Sequence, residues 1–467
     1  MQKIQIYCSL SVFSGTMSQR NMALCCPNPW VFFLQQLQIK TYHFPKEDLP
    51  PYYQPWMEIA KNVTELIDSH SLRACVQKMP LLETHLLQGH RELRLAHLTL
   101  SVMTMGYVWQ EGENDTVKVL PRTLAVPYWA VSQKLGLPPI LTHADAVLAN
   151  WKKKDPQGVF SMENLELLFT LPGGKSVHGF FMVTLLVELA AVPGIRAIPE
   201  VINGVNQGDV TMVTRALESI SLAIDCMREA LKLMHVYVEP AVFYGIMRIY
   251  LSGWKDNASM EDGLVYEDVQ VEPMEFSGGS AAQSSLLHCF DELLGVKHEA
   301  SSGAFLTRMR SHYMPPAHAH FIQDISLSRP SLRDFVLDRA SEPLTSAYEH
   351  CVAKLVALRN YHINMVSRFI TVPASRAKEL RLRGEGSGEE RSTIAQAPTA
   401  LEERGTGGSG IMSFLKTVRD RTRGVSVSPS THPLGAEVAQ SNAMAGPAQK
   451  ATTEASLLSK VTSKLFL

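Results

Sequence analysis

Apolar residues recur at three- and four-residue spacing along most of the chain, the mark of helices that bury one face. The pattern begins at Trp56 with WMEIAKNVTELIDSHSLRACVQKM, continues in HRELRLAHLTLSVMTMGYVW, and predicts helices on both stretches. A connector with Pro121, Pro127, Pro138 and Pro139 follows. Its segment PRTLAVPYWAV is the best strand candidate, though its prolines argue against a central strand. ADAVLANWKKKD reads as a short helix whose closing lysines suit the C-terminal dipole. GFFMVTLLVELAAVPGI predicts a buried helix ended by Pro193 and Gly194, too short and, with Glu188, too polar to span a bilayer. Residues 209–238 predict a long amphipathic helix with Asp209 as N-cap. EPAVFYGIMRIYLSGW is another helix, and SGGSAAQSSLLHCFDELLG is a Gly-rich turn opening one. PLTSAYEHCVAKLVALRNYHINMVSRFI is the last long helix. With so few convincing strands and no internal repeat, the expected fold class is all-α.

Order then gives way. Residues 373–409 are rich in Gly, Ser and charge and read as a flexible loop, before the short helix IMSFLKTVRD. That layout fits an active-site lid or a plain tether. From about 421 the polar tail reads as disordered. The whole chain is 45% hydrophobic and 19% charged, with a formal net charge of −1. This is a soluble globular composition and makes no electrostatic case for nucleic acid or an anionic membrane. The seven cysteines include no CxxC pair, which argues against a disulfide framework or a zinc or iron–sulfur site. A reducing, cytoplasmic setting is expected. The first fifteen residues are only faintly like a signal peptide.

Candidate chemistry centres on LVALRNYHINMV. Helical spacing puts Leu355, Leu358, His362, Met365 and Phe369 on one face, with Arg359 a turn before the histidine. His362 is either a core histidine or a ligand. A lone helix-borne imidazole suits a proximal haem ligand better than zinc, which takes about four N or S ligands. Arg248, in the apolar helix FYGIMR, is costly to bury without an anion. Either a substrate carboxylate or an internal salt bridge would satisfy it. SGGSAA and GTGGS allow close backbone approach to a ligand, or are ordinary turns. GGKS lacks the first glycine of a phosphate loop, since position 169 is Phe169. His318 and His320 read as a surface turn rather than a metal pair. No GxSxG, HExxH or EF-hand loop is present.

The phrases VLANWKKKDP, GFFMVTLLVE, RIYLSGWKDN, SGGSAAQSS, YMPPAHAHF, LRNYHINMV and GTGGSGIMSFLKTVRD occur in one order across most of the chain. Together they resemble the indoleamine 2,3-dioxygenase family. KMPLL, SVMTMGYVWQEGE and AVPGI are more similar to the second of its two paralogues than to the first. The resemblance implies two all-helical domains, 45–170 and 171–420, with haem between helices of the larger one. Residues 1–44 are then an extension outside the family, and 421–467 a disordered tail. It implies that His362 is the proximal ligand of haem b, with ferrous iron. Arg359 would pair with a haem propionate and Asp291 would support that arginine. Phe180 and Phe243 would flank the indole, Arg248 would hold the substrate carboxylate, and Gly279, Ser280 and Ala281 would let substrate and O₂ lie close. Thr184, His143 and Ala146 would border the pocket, where the first paralogue has serine, tyrosine and cysteine. Thr406 would close over the substrate. The implied reaction inserts O₂ across the indole C2–C3 bond of L-tryptophan, or a related indole, to give N-formylkynurenine. No acid–base side chain is implied, nor any nucleic-acid or membrane partner, and a monomer is expected. The rival reading is a haem-binding signalling or immunoregulatory protein with little turnover.

Overall fold

The computed structural model describes residues 45–298, 300–383 and 410–427. Thr406, most of the loop expected over 373–409 and the tail beyond 427 lie outside the described residues, as does the extension at 1–44. The described chain is built of helices, with four strands of two residues each. β1 (Val119–Leu120) pairs in parallel with β4 (Val265–Tyr266), and β2 (Lys152–Lys153) pairs antiparallel with β3 (Leu165–Glu166).

The first helices are α1 (Gln54–Lys61), α2 (Val63–Asp68), α3 (Leu72–Lys78), α4 (Gly89–Trp109) and α5 (Arg122–Leu135). They enclose a core around Trp56, Leu72, Val102, Trp109 and Tyr128. α5 covers the segment read above as a strand candidate. Its internal Pro127 is buried, and the helix ends on Gly136, which takes the left-handed conformation with φ 67°. The segment read as a helix over ADAVLANWKKKD splits differently. Ala144–Ala149 forms a wide π-type turn, and the lysines after it enter β2.

The spine is α6 (Gly174–Gln207), followed by α7 (Val210–Leu231). α6 does not stop at Pro193 and Gly194 but runs through Pro193 and Pro199. A proline inside a helix costs about 3 kcal/mol in isolation. Here the cost is offset because α7 packs along α6 over much of its length. Gly194 is part of that packing: a Cβ there would lie 2.9 Å from Ala223 Cβ and 3.2 Å from Phe290 Cζ. Asp209 caps α7 as expected, accepting the Met212 N–H at 2.9 Å. α6 is long and apolar enough to cross a membrane by length and composition, but 78% of its most apolar stretch is buried inside the protein.

The short helix α8 (Met234–Tyr237) leads to α9 (Pro240–Leu251), whose middle turn, Phe243–Met247, is wide and π-type. α10 (Ser285–Leu294), α11 (Ala300–Tyr313), α12 (Pro316–Leu327) and α13 (Leu332–Arg339) follow, then α14 (Glu342–Val366). A π-type turn, Ser367–Thr371, carries α14 on into α15 (Val372–Arg383). The start of the segment read as loop is therefore helical. α16 (Ile411–Arg423) returns to pack on α14. Thr422 is wholly buried and Val425 nearly so, so order reaches past 421. The second core lies among α7, α10, α12, α13 and α14. α6 belongs to both cores, Val177 to Leu189 facing the first and Ala190 to Val205 the second.

Candidate haem-binding site

The imidazole of His362 projects from the last turns of α14. Its helix-mates Leu355 and Leu358 are 0% and 4% exposed, while His362 itself is half-buried. Burial, aided by the Arg359 cation, pushes its pKa down to about 4, so the ring is neutral near pH 7. Its ring makes no side-chain hydrogen bond among the described residues, which leaves a neutral nitrogen in an apolar wall. That is the condition an axial metal ligand needs. Arg359, a turn earlier, is buried and donates through Nη2 to Asp291 Oδ2 at 2.7 Å. Its Nη1 donates to Thr422 Oγ1 on α16. Asp291 also meets His298 Nε2 at 2.9 Å, and its Oδ1 has no hydrogen-bond partner. Burial alone would raise the Asp291 pKa, but Arg359 and His298 outweigh it and hold it near about 2.

An aromatic chain runs from the end of this helix through α9 to α6. Phe369, two turns past His362, meets Phe243 edge-on at 6.1 Å between ring centroids. Phe243 lies 5.0 Å from Phe180. Phe369 and Tyr361 also flank His235, at 5.9 and 6.0 Å. Phe180 and Thr184 are half-buried on a stretch of α6 whose residues 181–183 are all buried. Thr184 Oγ1 donates back to the Phe180 carbonyl at 2.7 Å. Arg248, on α9 beyond Phe243, is 1% exposed, and its guanidinium carbon lies 5.3 Å from the Tyr244 ring centroid. Burial lowers its pKa to about 10, which still leaves it charged at neutral pH.

The Gly-rich segment closes the arrangement. A Cβ at Gly278 would fall 2.1 Å from the Leu251 carbonyl oxygen and 2.4 Å from the Gly253 nitrogen. The close backbone approach is thus at Gly278, against the end of α9. At Gly279 the nearest atom to such a Cβ would be the Leu141 carbonyl oxygen, at 3.6 Å. Ser280 is half-buried, Ala281 exposed, and the Ser280 hydroxyl accepts the Ala282 N–H at 3.2 Å.

His143 immediately precedes the π-type turn after α5 and Ala146 lies on it, both 5% exposed. His143 Nε2 is 2.9 Å from Glu188 Oε1, and Ser284 Oγ donates to the same oxygen at 2.6 Å. Next to them Asp145, fully buried, is bound by His97 Nδ1 at 2.8 Å and the Thr142 hydroxyl at 2.7 Å. Sequence reasoning missed Glu188, Ser284, His298 and Thr422. Glu188 was visible in principle, since a carboxylate inside the most apolar helix raises the same question as Arg248. His318 is not on a surface turn. It lies on α12, 3% exposed, and its Nδ1 is 3.1 Å from the Ser285 hydroxyl, while His320 is exposed. Among the described residues no group of three His, Cys, Asp or Glu could hold a metal ion. A single axial imidazole with a buried arginine–aspartate pair beside it fits haem rather than a side-chain metal cage.

An all-helical fold with a neutral imidazole on an apolar helical face, beside a buried arginine–aspartate pair, has the donor set that haem would take. The comparisons give it a family: the indoleamine 2,3-dioxygenase model matches residues 40–425, and the chain belongs to that family. It is 50% identical over 396 residues to human indoleamine 2,3-dioxygenase 2, covering 83% of this chain and 95% of the relative. It is 47% identical over 382 residues to rat indoleamine 2,3-dioxygenase 1, covering 81% and 91%. It is also 37% identical over 403 residues to a myoglobin of the abalone Haliotis madaka, covering 84% and 100%.

Proposed function

We propose that the protein is a haem-dependent dioxygenase that inserts O₂ across the indole C2–C3 bond of L-tryptophan, giving N-formylkynurenine. The observation that carries the reading is the neutral, half-buried His362 on an apolar helical face, with Phe369 on the same stripe leading through Phe243 to Phe180. Haem, when bound, supplies the ferrous iron that takes up and activates O₂. The protein supplies ligation, orientation and a dry slot. His362 would ligate the haem iron. Arg359, held by Asp291, would pair with a haem propionate. Phe180 and Phe243 flank the indole, and Arg248 binds the substrate carboxylate as a two-pronged donor. Gly279, Ser280 and Ala281 form the small wall beside the reacting bond, and Thr184, His143 and Ala146 set the pocket's shape. No side-chain base is required, because rate comes from holding the two reactants together.

The test is the absorption spectrum of purified protein, followed by tryptophan turnover under reducing conditions. His362→Ala is expected to lose the haem absorption band while keeping its helical circular dichroism. A variant with a normal haem spectrum would remove the axial role. The second reading, a haem protein that binds without turning over, is favoured by the similarity to an oxygen-carrier name, myoglobin, across most of this chain. It predicts a haem spectrum that responds to O₂ and no N-formylkynurenine.

A further inference from the structure

Glu188 is the one buried carboxylate on α6, and it stands on the same stripe as Phe180 and Thr184, at successive four-residue steps. Its oxygen Oε1 gathers the Ser284 hydroxyl at 2.6 Å and His143 Nε2 at 2.9 Å, so three separate chain segments meet on one atom. Gln283 makes a second bridge between two of them. Its Oε1 accepts the His143 N–H at 2.9 Å, and its Nε2 donates to the Gly278 carbonyl at 2.9 Å. The wall of the site, Gly278–Ala281, is thereby tied from two directions to the helix that carries Phe180. A buried polar cluster of this kind contributes little net stability compared with well-packed apolar residues. Its geometric effect is larger, because reactants displaced by about 1 Å can lose ~100-fold in rate.

We propose that Glu188, His143 and Ser284 are positioning residues that latch the Gly278–Ala281 segment at a fixed distance from the Phe180–Phe243 pair, and so set the orientation of the bound indole for reaction. The proposal rests on the dioxygenase reading of the site. Glu188→Gln keeps size and loses charge, and Ser284→Ala removes one donor. Amide hydrogen exchange of the purified protein reads the latch directly. Each variant is expected to accelerate exchange at residues 279–282 at least tenfold, with haem content at the wild-type level. In turnover, kcat is expected to fall fivefold or more while KM for tryptophan stays within twofold. The double variant is expected to be no worse than the worse single one, since both act on the same contact. Unchanged exchange in the folded variants would overturn the latch, and so would faster exchange with unchanged kcat. If Glu188→Gln does not fold, Ser284→Ala decides by the same readings. A wild-type protein without turnover would instead remove the dioxygenase reading, and the exchange arm would then judge the latch alone.

Discussion

At the scale of single residues, Arg248 poses the sharpest energetic question. It is 1% exposed yet keeps its charge, since burial lowers its pKa only to about 10. The Tyr244 ring at 5.3 Å offers a cation–π contact, which is weaker than pairing with a carboxylate. On the dioxygenase reading proposed above, the carboxylate of a bound amino acid is such a partner. Arg248→Ala is therefore expected to weaken tryptophan binding by roughly 1.5–3 kcal/mol, the worth of a charged hydrogen bond. Indole, which has no carboxylate, should lose far less. Titrating both ligands against the haem absorption band of wild type and variant gives the comparison. An equal loss for both would mean that the arginine serves the fold and not the ligand. Arg248→Lys should recover only part of the loss, because an ammonium cannot reproduce the planar two-pronged fit.

At the scale of elements, the Gly-rich segment holds one glycine fixed by packing beside one with room for a side chain. Gly278 packs backbone to backbone against the end of α9, where a methyl group would lie 2.1 Å from a carbonyl oxygen. Gly278→Ala is expected to destabilise the protein by about 1–3 kcal/mol or more, as overpacking does. Gly279→Ala meets nothing nearer than 3.6 Å and should leave the melting temperature almost unchanged while altering ligand affinity. Melting curves of the two variants decide, and equal losses would refute the distinction. The same local-against-distant contrast explains what the chain's pattern revealed. The apolar stripes of α7 and α14 are written in consecutive turns, so both helices were legible. The end of α6 was misread because its prolines are tolerated only through packing on α7, which periodicity does not report. Likewise His362, Arg359 and Asp291 stand in short phrases that resemble a family. Glu188 and Ser284 are 96 residues apart, and Arg359 and Thr422 are 63 apart. No window of sequence contains either pair.

For the whole molecule, buried titratable residues with displaced pKa values make stability depend on pH. His318 on α12 is buried against Ser285, and burial, with the cations and imidazoles of Arg94, His143 and His90 around it, pushes its pKa down to about 3. In the unfolded chain the same group titrates near 6.5. Between these values the unfolded state binds a proton that the native state refuses, so stability must fall as the pH drops from about 6.5 towards 3. One such proton is worth about 1.4 kcal/mol per pH unit. Asp145 and Asp291 act lower down. Burial opposes their ionisation, but His97 and Arg94 for the first, and Arg359 and His298 for the second, hold both at about 2. Their contribution is present above about 3.8 and is lost only as the pH falls from there through about 2. The window from 6.5 to 4.5 therefore isolates the imidazoles. Melting temperatures measured at half-unit steps should drop more steeply for wild type than for His318→Gln, whose side chain cannot titrate. The slope is the readout, so a uniform loss of stability in the variant does not affect it. Parallel slopes would show that His318 takes up its proton without cost and that its surroundings open to water in the native state.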